Sequence, residues 1–175
     1  MTKILLLYST TDGHTIKICN RMREVIELHA HQVTLAPLND SHDIDLTAFD
    51  KIVIGASIRY GKHNSEVAEF INRHAQLLES KSYAFFSVNI VARKPEKNLP
   101  ETNPYVQKFL KLISRQPKEL AVFAGKLDYP RYGLLDRLMI RFIMLITKGP
   151  TDPKAVVEFT DWMQVEAFGL KLAQA

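Results

Sequence analysis

Glycine is scarce and scattered, with seven residues at positions 13, 55, 61, 125, 133, 149 and 169. They form no G-x-x-x-x-G-K-S/T loop and no G-x-G-x-x-G turn, which argues against a P-loop nucleotidase and a dinucleotide Rossmann site. Cysteine is nearly absent. Cys19 alone cannot build a disulfide framework, so a reducing compartment is expected. Its neighbours Met22 and Ile26 make it a small core residue rather than a nucleophile. Long apolar runs are missing too. Ile4–Tyr8 is too short for a secretory core, and no run approaches the roughly eighteen residues of a membrane span. A cytoplasmic protein without transmembrane helices is therefore expected. The histidines have no ligand spacing with cysteine or carboxylates, so no metal is expected. No Ser-His-Asp or paired-carboxylate pattern stands out, and no catalytic side chain is assigned.

What is present is a regular alternation. Ile4–Tyr8, Val33–Ala36, Ile52–Ala56, Ala84–Asn89 and Leu120–Gly125 are short apolar runs, as in strands buried on both faces of a parallel sheet. Helical spacing separates them, at Ile18, Met22, Val25 and Ile26, then at Val67, Phe70, Ile71, Ala75 and Leu78. It returns at Val106, Phe109, Leu110 and Ile113, and at Val165, Phe168 and Leu172. The pattern predicts a single α/β domain over the whole chain, with a doubly wound sheet and right-handed crossovers.

One segment breaks the alternation. Lys126–Pro153 follows the fifth strand where a plain α/β unit needs only a few linking residues. It holds an amphipathic helical stretch from about Leu134 to Thr147. Lys126, Arg131, Arg137, Arg141 and Lys148 face only Asp128 and Asp136 there, so most of the net charge of +4 sits in this insertion. The pI of 9.1 favours anionic partners. The basic helix could lie on an anionic membrane surface, or simply pack on the sheet with Arg137 and Arg141 facing water.

The first strand ends in "STTDGHT", Ser9 to Thr15. Ligands of open α/β sheets bind beyond the carboxyl ends of the strands. Here Ser9, Thr10, Thr11 and Thr15 supply hydroxyls, with Asp12 and His14 between them. Gly13 lets the backbone turn, and a helix N-terminus follows. That suits a phosphate monoester held by hydrogen bonds, although the same residues also serve as plain N-caps. The third strand runs into Ser57, Ile58, Arg59, Tyr60 and Gly61, and the fourth into Ser87, Val88, Asn89, Ile90, Ala92 and Arg93. These loops would flank the phosphate cup with an aromatic, small residues and exposed backbone. A phosphate cup beside two walls for a flat ring describes an FMN site. His63 follows the ring loop and could touch a substrate, but is read as solvent-facing, and Trp162 is read as packing.

The layout resembles flavodoxin-like proteins, whose first loop reads S/T-x-T-x-x-x-T, matched by Ser9, Thr11 and Thr15. It is most similar to one branch, the menaquinone-dependent protoporphyrinogen dehydrogenases of bacterial haem synthesis. "VIGASIRYGKH", "FFSVNIVARKPEKN", "AGKLDYPRY" and "DRLMI" carry that likeness. The resemblance implies a flavodoxin-like five-stranded parallel sheet of order 2-1-3-4-5. It implies oxidation of protoporphyrinogen IX to protoporphyrin IX through FMN, with electrons passed to a membrane quinone. The place implied is the cytoplasmic face of the bacterial inner membrane, held peripherally. The porphyrinogen carries propionates, so Arg59, Lys62, Arg93, Lys94 and Lys97 are candidate anchors, and Arg131, Arg137 and Arg141 are candidates for substrate or membrane. No nucleic-acid partner is expected, and homo-oligomer formation stays open. The alternatives on this scaffold are an electron-carrying flavodoxin and an NAD(P)H:quinone reductase. The basic insertion speaks against the carrier.

Overall fold

The computed structural model describes residues 1–174. In chain order it runs β1 (Lys3–Ser9), α1 (His14–Glu27), β2 (Gln32–Pro37), β3 (Lys51–Arg59), β4 (Lys62–His63), α2 (Ser65–Arg73), α3 (Ala75–Ser80) and β5 (Ser82–Asn89). It continues with α4 (Pro104–Leu110), β6 (Glu119–Ala124), β7 (Lys126–Asp128), α5 (Leu134–Ile146), β8 (Val156–Glu158) and α6 (Trp162–Gln174).

The five long strands lie in the order β2-β1-β3-β5-β6, and every pair along that path is parallel. Counting the parallel strands alone, this is the 2-1-3-4-5 order expected from the sequence. Alternate residues of β1 serve opposite layers, because side chains in a strand alternate between faces. Ile4 and Leu6 pack with Ile18, Met22 and Ile26 of α1 and with Val165, Phe168 and Leu172 of α6. Leu5 and Leu7 pack on the other face with Val67, Phe70 and Ile71 of α2, Leu78 of α3 and Phe109 of α4. Each fully buried aliphatic or aromatic side chain contributes about 1.5–3 kcal/mol to this core. Gly55 of β3 is fixed by a close approach. A Cβ there would stand 2.1 Å from the Phe86 ring.

Two local features differ from the spacing. Val67 to Leu78 reads as one helix but is divided at His74 (φ −103°, ψ 20°). The His74 N–H still bonds Phe70 and the Leu78 N–H bonds His74, so both pieces keep one buried face. The second feature is β4, a two-residue strand antiparallel to β3 that no apolar run announced.

The insertion leaves β6 through Gly125 and is closed at its base by an antiparallel β7–β8 ribbon, Lys126 opposite Glu158. Leu127, Tyr129, Tyr132 and Met144 form a small core of their own beneath α5.

Candidate functional site

The β1–α1 and β3–α2 connections leave the sheet on opposite faces, which opens a crevice at the carboxyl edge. At its floor, Gly13 (φ 83°) begins α1, and its N–H donates to Thr10 Oγ1 at 3.0 Å. The first turn of α1 carries no acidic residue. Its free N–H groups therefore present an uncompensated positive end. Thr15 Oγ1 is buried there without a hydrogen-bond partner among the described residues. An orphaned buried hydroxyl is costly, and an anion at this helix end would satisfy it. The loop thus fits a phosphate group.

One ring-side wall is a tight hairpin. Arg59 pairs with Lys62 across Tyr60 (φ 51°) and Gly61 (φ 74°). Two successive left-handed residues mark a type I′ turn. Glycine takes that conformation freely, whereas a tyrosine there is strained. The hairpin, closed by the Arg59–Lys62 pair, holds Tyr60 at the crevice mouth despite that strain, 60% exposed. The Arg59 guanidinium lies 5.3 Å from its ring centroid.

The other wall rests on a buried amide network. Asn103 Nδ2 donates to Asn89 Oδ1 at 3.0 Å, and Asn89 Nδ2 donates to Ser87 Oγ at 3.0 Å. Asn89 Oδ1 also accepts the Ala92 N–H, while Asn103 Oδ1 accepts the N–H groups of Tyr105 and Val106. His63 Nε2 lies 2.8 Å from Ser87 Oγ. His63 is therefore buried, not solvent-facing as expected, and burial pulls its pKa down to about 4.

The crevice encloses about 1010 Å³ counted out to its open mouth. Thr10, Asp12, His14, Thr15, Ser57, Ile58, Arg59, Tyr60, Gly61, Val88, Asn89 and Ile90 of the predicted site converge on it. Ser9, Thr11 and Gly13 belong to the same phosphate loop without lining the cavity. Ser87 and Ala92 lie buried behind the wall.

Residues 5–154 match the flavodoxin domain family. Protoporphyrinogen IX dehydrogenase (quinone) of Escherichia coli K12 is 43% identical over 98% of this chain and 94% of its own length. A protein of the same name from Leishmania major is 40% identical over 98% of this chain and 74% of its own. Oxidised flavodoxin 1 of Bacillus cereus superposes with a TM-score of 0.52 at 14% identity, covering 99% of this chain and 98% of that one. The chain belongs to the protoporphyrinogen IX dehydrogenase family. This is a flavodoxin-fold oxidoreductase family, and its flavodoxin domain goes with flavin binding.

In this family member the insertion supplies the remaining wall of the crevice. Met139, Ile140, Ile143 and Met144 of α5 line it, with Tyr105, Gly125, Lys126 and Tyr132. None of these was named as a site residue from sequence, although Lys126 stood in the basic cluster and Gly125, Tyr132, Met139 and Ile140 lie in the motifs that carry the family likeness. The i, i+1, i+4, i+5 spacing from Met139 was the available signal, but it reads equally as core. Asp136, in the first turn of α5, accepts from Arg59 Nη2 and from the Tyr60 hydroxyl, tying the helix to the hairpin. Asp12 lies 3.9 Å from Arg59, and its carbonyl accepts from Arg131 at 3.4 Å.

The basic residues of the insertion point elsewhere than expected. Arg137 donates to the carbonyls of Tyr129 and Tyr132, and Arg141 to that of Thr151 at 2.8 Å. Both cap the insertion's own loops instead of facing water. Arg93 donates to the carbonyls of Ile90 and Thr147, bracing the wall against the end of α5. Lys94 and Lys97 do not line the crevice, whereas Lys62 lines a hollow that adjoins it. The outer face of α5 is apolar. Leu135 is 79% exposed, and Leu138, Phe142, Leu145 and Ile146 are exposed as well. No helix among the described residues is long and apolar enough to cross a membrane.

Proposed function

We propose that this chain oxidises protoporphyrinogen IX to protoporphyrin IX on bound FMN and passes the electrons to a membrane quinone. One observation carries the reading. A phosphate cradle and a ring-sized crevice are walled by a helix that is apolar on its inner side and exposed and apolar on its outer side. The 43% identity to a quinone-type dehydrogenase supports it. When bound, FMN accepts the two electrons of each dehydrogenation.

The chain's residues do the rest. The N–H groups opening α1 and the hydroxyls of Thr10 and Thr15 hold the phosphate. Ser57–Gly61 and Val88–Ile90 flank the ring. Met139, Ile140 and Ile143 exclude water from the reacting face and offer an apolar surface to a porphyrinogen or a quinone ring. The outer face of α5 dips into the polar-apolar boundary of a bilayer, the cytoplasmic face of the inner membrane in a bacterium. Because Arg137 and Arg141 are engaged internally, this contact is driven by apolar burial more than by charge.

The test is anaerobic. FMN-loaded protein is mixed with protoporphyrinogen IX, and the oxidised flavin band and porphyrin fluorescence are followed together. Bleaching with a matching rise in fluorescence is expected. A flavin that stays oxidised here but is bleached by NAD(P)H or by a protein reductase overturns the reading.

A further inference from the structure

A second hollow of about 630 Å³, counted to its mouth, lies beside the crevice between β4, the start of α2, and α4. Gly61 and Tyr105 line both cavities, so the two adjoin there. Gly61 presents only backbone at this boundary, and a Cβ there would touch the Tyr105 ring at 3.8 Å, so the two residues form a low rim between the cavities. The floor of the hollow is apolar, formed by Ala68, Phe109 and Leu112, and Lys62 and Lys108 line it. Both lysines are exposed, and neither has an ion pair or a side-chain hydrogen bond among the described residues. The nearby Glu66 does not line the hollow, and its carboxylate is held by the Asn64 side chain at 3.4 Å.

The other cations around the crevice are already engaged. Arg59 is paired with Asp136, and Lys126 with Asp128 at 3.1 Å. Arg93, Arg137 and Arg141 are spent on backbone carbonyls. The candidate propionate anchors therefore separate, and only Lys62 among them faces a cavity with its charge uncommitted. Lys108, four residues past the start of α4, joins it only through the tertiary fold.

We infer that this hollow is the carboxylate subsite of the substrate: the propionate edge of a tetrapyrrole in the crevice reaches over the rim formed by Gly61 and Tyr105, its methylenes lie on Ala68 and Phe109, and its carboxylates meet Lys62 and Lys108. A short alkyl arm ending in a carboxylate matches an apolar floor with a cationic lining. The inference rests on the porphyrinogen reading above and names the residues that recognise that substrate.

The experiment compares protoporphyrinogen IX with its dimethyl ester on FMN-loaded wild type, Lys62→Met, Lys108→Met and the double variant, with Lys62→Arg as the conservative control. Flavin content checks that each variant is assembled. Wild type prefers the free acid about tenfold or more in kcat/KM. Each single variant loses about three- to fivefold through KM, and in the double variant the acid-to-ester ratio falls close to one. Lys62→Arg keeps the preference, and added salt weakens it in wild type. An acid-to-ester ratio unchanged in the double variant, with wild type active, overturns the subsite alone. Wild type inactive on both substrates overturns the porphyrinogen reading, and the subsite with it.

Discussion

Arg59, the last residue of β3, is ion-paired with Asp136, in the first turn of α5. The chain separates them by 77 positions, yet both line one mouth of the crevice. The pair couples the hairpin on one side of the crevice to the helix α5 on the other. A carboxylate in a first helical turn also complements the helix dipole, so Asp136 stabilises the start of α5 while it holds the hairpin.

Asp136→Asn keeps the shape and removes the charge. The expected result is faster amide exchange over residues 134–140 and a kcat/KM lower by about three- to tenfold, since a half-exposed pair is worth about 1 kcal/mol. Flavin content stays near that of wild type, because the phosphate loop is untouched. Hydrogen exchange by mass spectrometry together with flavin titration checks it.

Thr15→Val should move two properties in opposite directions. Without flavin the variant is more stable by about 1 kcal/mol, because the buried Thr15 hydroxyl has no partner. Its affinity for FMN falls by about tenfold, because that hydroxyl is lost to the phosphate. Urea unfolding of the apoprotein and a flavin fluorescence titration read the two effects separately.

Gly55→Ala places a methyl against the Phe86 ring, in the middle of a sheet packed on both sides. The expected cost is about 1–3 kcal/mol, measured by denaturant unfolding. Gly133→Ala, where nothing lies within 4 Å, is the matched control and changes stability by less than about 0.5 kcal/mol.

His63 gives the folded protein an acid sensitivity. Its folded pKa is about 4 because it is buried, against about 6.5 when unfolded. Below pH 6.5 the unfolded chain takes up a proton that the folded chain refuses. Stability therefore falls as pH drops from about 6.5 to about 4, by an amount on the order of 3 kcal/mol, and this contribution is flat outside that window. His14 and His74 are lowered by burial too and add in the same direction. Unfolding free energies between pH 7.5 and 4.5 for wild type and His63→Gln test it, with a shallower slope expected in the variant.

Attachment to vesicles should depend on the outer face of α5. Leu138→Glu with Phe142→Glu abolishes co-flotation with anionic liposomes, whereas Arg141→Gln leaves it largely intact. Binding of wild type resists moderate salt, as apolar burial does and ion pairing does not.

Local periodicity and loop chemistry are properties of short segments, and these were legible. The apolar runs from Ile4 and Ile52 fix a buried parallel sheet because strands covered on both faces must be apolar throughout. "STTDGHT" at a strand end announces a helix N-terminus, and Thr15 stands there with its hydroxyl unsatisfied. The placement of charge was not legible. Sequence makes Arg137 and Arg141 the polar face of an amphipathic helix, but each is drawn to carbonyls of a loop that folds back on α5. That reversal turns the outer face apolar.

His63 is polar on a loop by sequence, yet Ser87 and the Phe109 ring bury it. The apolar strand runs and the hydroxyl-rich loop that opens α1 thus follow from residues near one another in the chain, whereas the strand order was expected only through the family resemblance. The inner wall of α5, the Arg59–Asp136 closure and the meeting of Lys62 with Lys108 depend on where distant segments come to rest. No local pattern encodes those contacts, because long-range packing alone decides which side of a helix is covered and which charge finds a partner.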